Sequence, residues 1–356
     1  MLLENNQAFL SLVKLGIGHY DGLLTNDIDW NAIEALAERQ GLLAIVLDGI
    51  ESLPNNHRPP QEFLLQLIGE TMQDYEYRYD QYRKAISKLA AFYNSHGFKM
   101  MVLKGYACSL DWPKPEHRPC GDIDIWQFGQ YKEADEALRK EGIEIDHSHH
   151  HHTVFEWHGF TVENHYDFVN VHHSKSNAEI EKVFKNLGRD ESYHVEVLGE
   201  KVFLPSPDLH ALFLLRHAMI EFAASSISIR QVLDWAFFVE KHTKEINWEW
   251  LQSTIDEYHM RDFYNCINAI SVENLGFSSN LFPSVQFLPS IKDKVLNEIL
   301  DPAIPNEKPK ELFHRIVWKI KRWKANKWKH ELCYEESRQS SFWNGVWGHL
   351  LKPSSI

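Results

Sequence analysis

Residues 121–125 read Gly-Asp-Ile-Asp-Ile. Acids and isoleucines alternate here, and a pleated strand repeats every two residues. The stretch is therefore predicted to be a strand with Asp122 and Asp124 on one face and Ile123 and Ile125 against a core. This demands a sheet that is apolar on one side and carries two carboxylates a few ångströms apart on the other. Such a pair repels itself unless a cation intervenes. Oxygen ligands of this kind suit magnesium, which keeps several waters and takes one or two carboxylates plus substrate phosphates. The plainer alternative is a pair of solvent-facing acids on a half-exposed strand.

The surroundings decide between these readings. From Phe98 onward the chain shows short apolar runs at Met100–Leu103, Ile123–Trp126, Ile143–Ile145, Val154–Trp157 and Phe160–Val171, all strand-like. Trp157-His158-Gly159-Phe160 has the form of a tight hairpin, with glycine supplying a positive φ. Tyr131–Lys140 reads as a helix. On either side the pattern is helical. Asp29 is placed to cap a helix through Trp30, Ile33, Leu36 and Ala37 that stops at Gly41, and a longer helical pattern runs from Gln61 to Ser95 after a Pro-rich break. Tyr75, Tyr77, Tyr79 and Tyr82 fit amphipathic packing there better than ligand stacking. Ser206-Pro207-Asp208 announces another helix, with Ser206 as N-cap and Pro207 at the first position. Further helices are expected over 228–242, 248–272 and 310–330. The fold class is accordingly α+β, divided as a helical region over 1–95, a mixed-sheet core over 96–205 and a second helical region over 206–356.

Within the core, Met100–Leu103 runs into Lys104-Gly105-Tyr106 and a short helix from Ala107. A strand, a glycine and a helix start form an anion site, since the first amides point outward. Further on, Glu163 and His165 alternate with Val162 and Asn164, which sets a third carboxylate beside a histidine on one strand face. Taken together, Leu103-Lys104-Gly105, Arg118-Pro119-Cys120-Gly121-Asp122-Ile123-Asp124-Ile125 and Val162-Glu163-Asn164-His165-Tyr166 resemble the uncharacterised nucleotidyltransferase family of the DNA polymerase β-type superfamily. Ser228–Trp235 resembles that family's following helical region.

The resemblance implies a polymerase β-like core acting as a magnesium-dependent nucleotidyltransferase, with Mn²⁺ as a substitute ion. Asp122, Asp124 and Glu163 would be both the catalytic and the metal-holding residues. Lys104, Gly105, Arg118, Gly121 and Arg230 would contact the nucleotide, and His165 and Asp234 would touch substrate or support the site. A nucleotidyl group would pass from a nucleoside triphosphate to a hydroxyl or phosphate acceptor, and pyrophosphate would leave. The acceptor is left open among a small molecule, a sugar and a protein side chain. Gly105-Tyr106 departs from the Gly-Ser or Gly-Gly usual in such turns, which removes a serine contact to the triphosphate. A catalytically silent nucleotide- or partner-binding module is the rival, and a His-rich metallohydrolase a more distant one.

Charge and composition narrow the partners. A formal charge of −13 argues against a protein that coats nucleic acid. No apolar run reaches the ~20 residues of a membrane span, and no secretory pattern follows Met1, so a cytoplasmic location is expected. Cys108, Cys120, Cys266 and Cys333 are scattered without a Cys-x-x-Cys pair and read as reduced thiols. His147 and His149–His152 invite a metal reading. Consecutive histidines on a strand point to alternating sides, however, so a loop near the site with one histidine touching substrate is preferred. Arg230 and Asp234, at i and i+4, are placed to pair on one helix. Residues 308–330 hold nine Lys and Arg against the single Glu311. Their apolar stripe of Leu312, Ile316, Ile320 and Trp323 is expected to pack on the rest of the protein.

Overall fold

The computed structural model describes residues 4–19, 28–172, 174–286, 288–304 and 309–335. A six-stranded mixed sheet lies at its centre, with strands β1 (Met101–Val102), β2 (Ile123–Trp126), β3 (His152–Trp157), β4 (Phe160–His165), β5 (His194–Val197) and β6 (Glu200–Phe203) in the order β3-β4-β2-β1-β6-β5. β1 is antiparallel to β2 and parallel to β6, and β2 is parallel to β4. The mixed α/β architecture agrees with the expected α+β class.

Alternation divides the sheet's side chains between two cores. Val102, Ile123, Ile125, Phe155 and Val162 face the Arg78–Ser95 and Tyr131–Lys140 helices. Met101, Leu103, Trp126 and Phe203 point the other way, into a larger core shared by the N-terminal helices and the helices after residue 206. Gln40 ties the two ends of the chain together by donating to the Ile299 carbonyl at 2.9 Å and accepting from the Ile229 amide at 2.7 Å.

Local chemistry explains several elements. Asp29 accepts from the Ala32 amide at 3.1 Å, and Gly41 ends that helix at φ 65°. The β3–β4 turn carries positive φ at both His158 and Gly159, as a two-residue hairpin requires. The pattern from Gln61 to Ser95 is helical throughout, with a π-helical stretch at Thr71–Tyr77. Tyr75, Tyr79 and Tyr82 are buried and Tyr77 is exposed.

Some expectations need correction. Ile143–Ile145 is not a strand; only Asp146 bridges to Val154 there, and the isoleucines pack against the core as loop side chains. The last apolar run forms a strand only to His165. The 248–272 pattern is two helices, Trp248–Glu257 and Arg261–Glu273, parted by His259 at φ 54°. Ser206 makes no side-chain cap, although Pro207 does open its helix. In the basic segment, Ile320 and Trp323 are 51% and 45% exposed, so at these two positions the stripe is not covered. The next helix, Lys327–Cys333, does the anchoring instead, through buried Cys333 and through Trp328 against Phe222. The side chains of Leu312 and Ile316 lie outside the described residues. No helix among the described residues is long and apolar enough to cross a membrane.

Candidate active site

Asp124 sits in the middle of β2, 2% exposed, on the face opposite Ile123 and Ile125. The parallel register with β4 sets it beside Glu163. Asp122, just before the strand, opens to solvent. Lys104 follows β1 and places its Nζ 2.9 Å from Asp124 Oδ1 and 3.0 Å from His217 Nε2. His165, two residues along β4 from Glu163, brings Nε2 to 3.1 Å from Asp124 Oδ1 and 3.5 Å from Glu163 Oε2. Asp124 and Glu163 thus gather on one imidazole, with the Lys104 ammonium on Asp124 and Asp122 on the same cleft as Asp124.

These contacts set the charges. Burial opposes ionisation of Asp124, but Lys104 and His165 overcome it and hold the carboxyl well below the usual carboxylate range. Burial likewise disfavours the Lys104 cation, and Asp124, Glu221 and Asp122 reverse that, raising the amine above the ordinary lysine range. His165 is lifted to about 9 against its own burial by hydrogen bonds to Asp124 and Glu163. Glu163 is lowered despite burial, chiefly through His165. Asp122 moves the other way: although its surface reaches solvent, partial desolvation by the packed groups around it raises its carboxyl and repulsion from Asp124 adds to the rise. A further cation at Asp122 would relieve that repulsion, and Lys104 already shows what Asp124 draws to itself. An all-oxygen set of this kind fits a hard divalent cation.

A cleft of about 240 Å³ opens over Lys104, Asp122 and Asp124, lined also by Gly105, Arg118, Gly121, Arg230 and Asp234, while Glu163 and His165 stand behind Asp124 and outside that lining. All five expected nucleotide contacts therefore reach one space. Gly105 is required by crowding: at φ 23° its absent Cβ would stand 2.4 Å from the Tyr82 hydroxyl, which donates to the Asp122 carbonyl at 2.8 Å. Gly121 is different, since a Cβ there would meet open space. Tyr106, where the turn departs from its relatives' pattern, is buried beside Tyr79 and Tyr82.

The expected Arg230–Asp234 pair does not form. Asp234 instead accepts both Nε and Nη2 of Arg118, at 2.7 and 2.9 Å, and the Trp112 indole at 2.9 Å. Arg118 meets the carboxylate with two N–H donors of its fork, and Arg118 and Asp234 are both buried. The far wall was missed by sequence reasoning. It carries His217 and Glu221, 3.4 Å apart one turn along the Pro207–Ala224 helix, and burial followed by the Lys104 charge lowers His217 to about 4. The i,i+4 His/Glu spacing was the available signal.

The model of a family described as uncharacterised nucleotidyltransferase matches residues 26–276. The chain belongs to this family. The match runs through the sheet and past the helix that supplies Asp234, so every residue named in the cleft lies within it. No curated protein and no solved structure matches the chain.

Proposed function

We propose that this nucleotidyltransferase moves a nucleotidyl group from a nucleoside triphosphate to a hydroxyl or phosphate acceptor, with magnesium or manganese held by Asp122, Asp124 and Glu163. The observation that carries the reading is Asp124 beside Glu163 in the ladder, with the Lys104 ammonium 2.9 Å away at the floor of a cleft. Magnesium, when bound, would shield the phosphate charge and polarise the α-phosphate.

The side chains supply the rest. Lys104 keeps its proton and offers fixed positive charge to phosphate oxygens. Arg230 brings a second guanidinium to the cleft. Arg118 is committed to Asp234, so its part is to hold the loop that ends in Asp122. Glu163 is deprotonated at neutral pH and can take the proton of an attacking hydroxyl, whose oxygen bonds to the α-phosphorus as the bond to the pyrophosphate breaks. His165 holds Glu163 and Asp124 in place.

Thermal-shift measurements with the four ribonucleoside triphosphates, each with and without magnesium, test the reading. A ligand that binds only the folded state raises its melting temperature, and a magnesium-dependent rise with at least one triphosphate is expected. Equal responses without magnesium, or none at all, would remove the reading. Label transfer from that triphosphate to an acceptor, with pyrophosphate release, separates an enzyme from a silent binding module.

A further inference from the structure

Behind the carboxylates, three imidazoles converge. His151 immediately precedes β3, His152 begins it, and His165 closes β4 directly across the ladder from His152. Because His151 lies before the strand proper, strict alternation does not part it from His152. The ring centroids are 4.4 Å apart for His151–His152, 5.2 Å for His152–His165 and 5.6 Å for His151–His165, and one nitrogen from each lies within 4.8 Å of the others.

His165 already holds Asp124 at 3.1 Å, but nitrogens of the other two rings lack hydrogen-bond partners. His152 is 6% exposed, and neither of its ring nitrogens, nor Nδ1 of His151, has a hydrogen-bond partner among the described residues. Leaving a buried polar atom unsatisfied costs roughly 1–3 kcal/mol, so several at one point ask for a common ligand. Glu163 Oε2 stands 3.7 Å from His152 Nδ1 and is in reach as a fourth donor.

We infer that His151, His152 and His165 form a binding site for a late first-row divalent cation, of which zinc is the type, separate in its nitrogen donors from the oxygen set at Asp122 and Asp124. Three imidazoles and a carboxylate give the four-coordinate geometry that zinc and cobalt adopt, and magnesium has little affinity for nitrogen. Zn–N bonds of about 2.0–2.1 Å need nitrogens roughly 3.3 Å apart in a tetrahedron, so modest ring rotations close the trio. An ion here would fix the β3–β4 edge behind Glu163 and orient that carboxylate. The site does not rest on the nucleotide reading.

The test uses full-length protein without an affinity tag, stripped with a chelator and titrated with Co²⁺. We expect one equivalent with the intense visible absorption of four-coordinate cobalt, bleached by zinc and left intact by excess magnesium. His151→Gln and His152→Ala should each weaken cobalt binding by at least about tenfold. His147→Ala, in the same histidine run but outside the trio, should not. X-ray absorption of the zinc-loaded parent, which needs no variant, should count three imidazoles. An oxygen-only shell, or a weak spectrum abolished by Asp122→Asn and untouched by the histidine variants, would overturn the site. Magnesium-dependent triphosphate binding, followed separately by calorimetry, reports on the proposed activity independently.

Discussion

Asp124 and Glu163 are neighbours in one ladder, yet their surroundings give them different work. Asp124 is buried and gripped by Lys104 and His165, so it belongs to the charge arrangement that exists before any reaction. Asp124→Asn should weaken magnesium-dependent triphosphate binding and turnover together. Glu163 is half-buried, with His165 at 3.5 Å and His152 at 3.7 Å on the same oxygen, and with no ion at the histidines its carboxylate is able to receive a proton. Glu163→Gln should keep triphosphate binding within a small factor while lowering the transfer rate by about 10²–10⁴, as loss of a general base does. Calorimetry and label transfer on the same preparations separate the two, and full activity in Glu163→Gln would move the base elsewhere. His165 adds a pH signature. Its folded pKa of about 9 exceeds the unfolded value near 6.5, so its stabilisation is complete below about pH 6.5 and lost as pH rises through 9. That contribution is on the order of 3 kcal/mol. In metal-free protein the melting temperature should therefore decline between pH 6.5 and 9, and His165→Gln should flatten the decline.

The β1–helix turn and the loop before β2 hold the cleft in shape, and each includes a contact that a substitution can break. Gly105→Ala would push a methyl into the Tyr82 hydroxyl and, through it, into the carbonyl of Asp122. We expect lower stability and weaker triphosphate binding, with partial recovery when Tyr82→Phe makes room. Asp234→Ala would strand the buried Arg118 cation and should cost about 3–5 kcal/mol in chemical denaturation; a loss below 1 kcal/mol would show that the loop is held by something else. How far such elements could be read beforehand depended on how local their signals are. The Asp/Ile alternation and the His158-Gly159 turn declare themselves within a few residues. The β5–β6 hairpin was not singled out, because its turn puts Leu198 at φ 51°, a position where leucine gives no turn signal. Ile143–Ile145 misled because an apolar triplet looks the same in a loop as in a strand. His217 and Glu221 were missed since their helix is apolar on nearly all sides, so periodicity does not show which side faces a cleft. The Arg118–Asp234 pair spans 116 positions, a separation that no local pattern encodes.

Across the whole molecule, one apolar core joins residues from Ala8 to Tyr334. Lys329, 1% exposed, binds Glu298 at 2.6 Å and also donates to the Ser225 carbonyl, which pins the Lys327–Cys333 helix to the body. Lys329→Ala would leave Glu298 without that partner. We expect a loss of about 3–5 kcal/mol in chemical denaturation, while Lys319→Ala on the exposed preceding helix should change little. The same long-range closure bears on how the protein is made. A ribosome delivers Lys104, Asp122, Asp124 and Glu163 early, but the Asp234 carboxylate that holds Arg118 comes over a hundred residues after it, and the core closes only when Cys333 arrives. A nascent chain halted near residue 205 would own every candidate catalytic carboxylate and still lack the far wall of its cleft, so activity should emerge only near the end of translation, whereas the β3–β4 hairpin can pair within moments of leaving the exit tunnel.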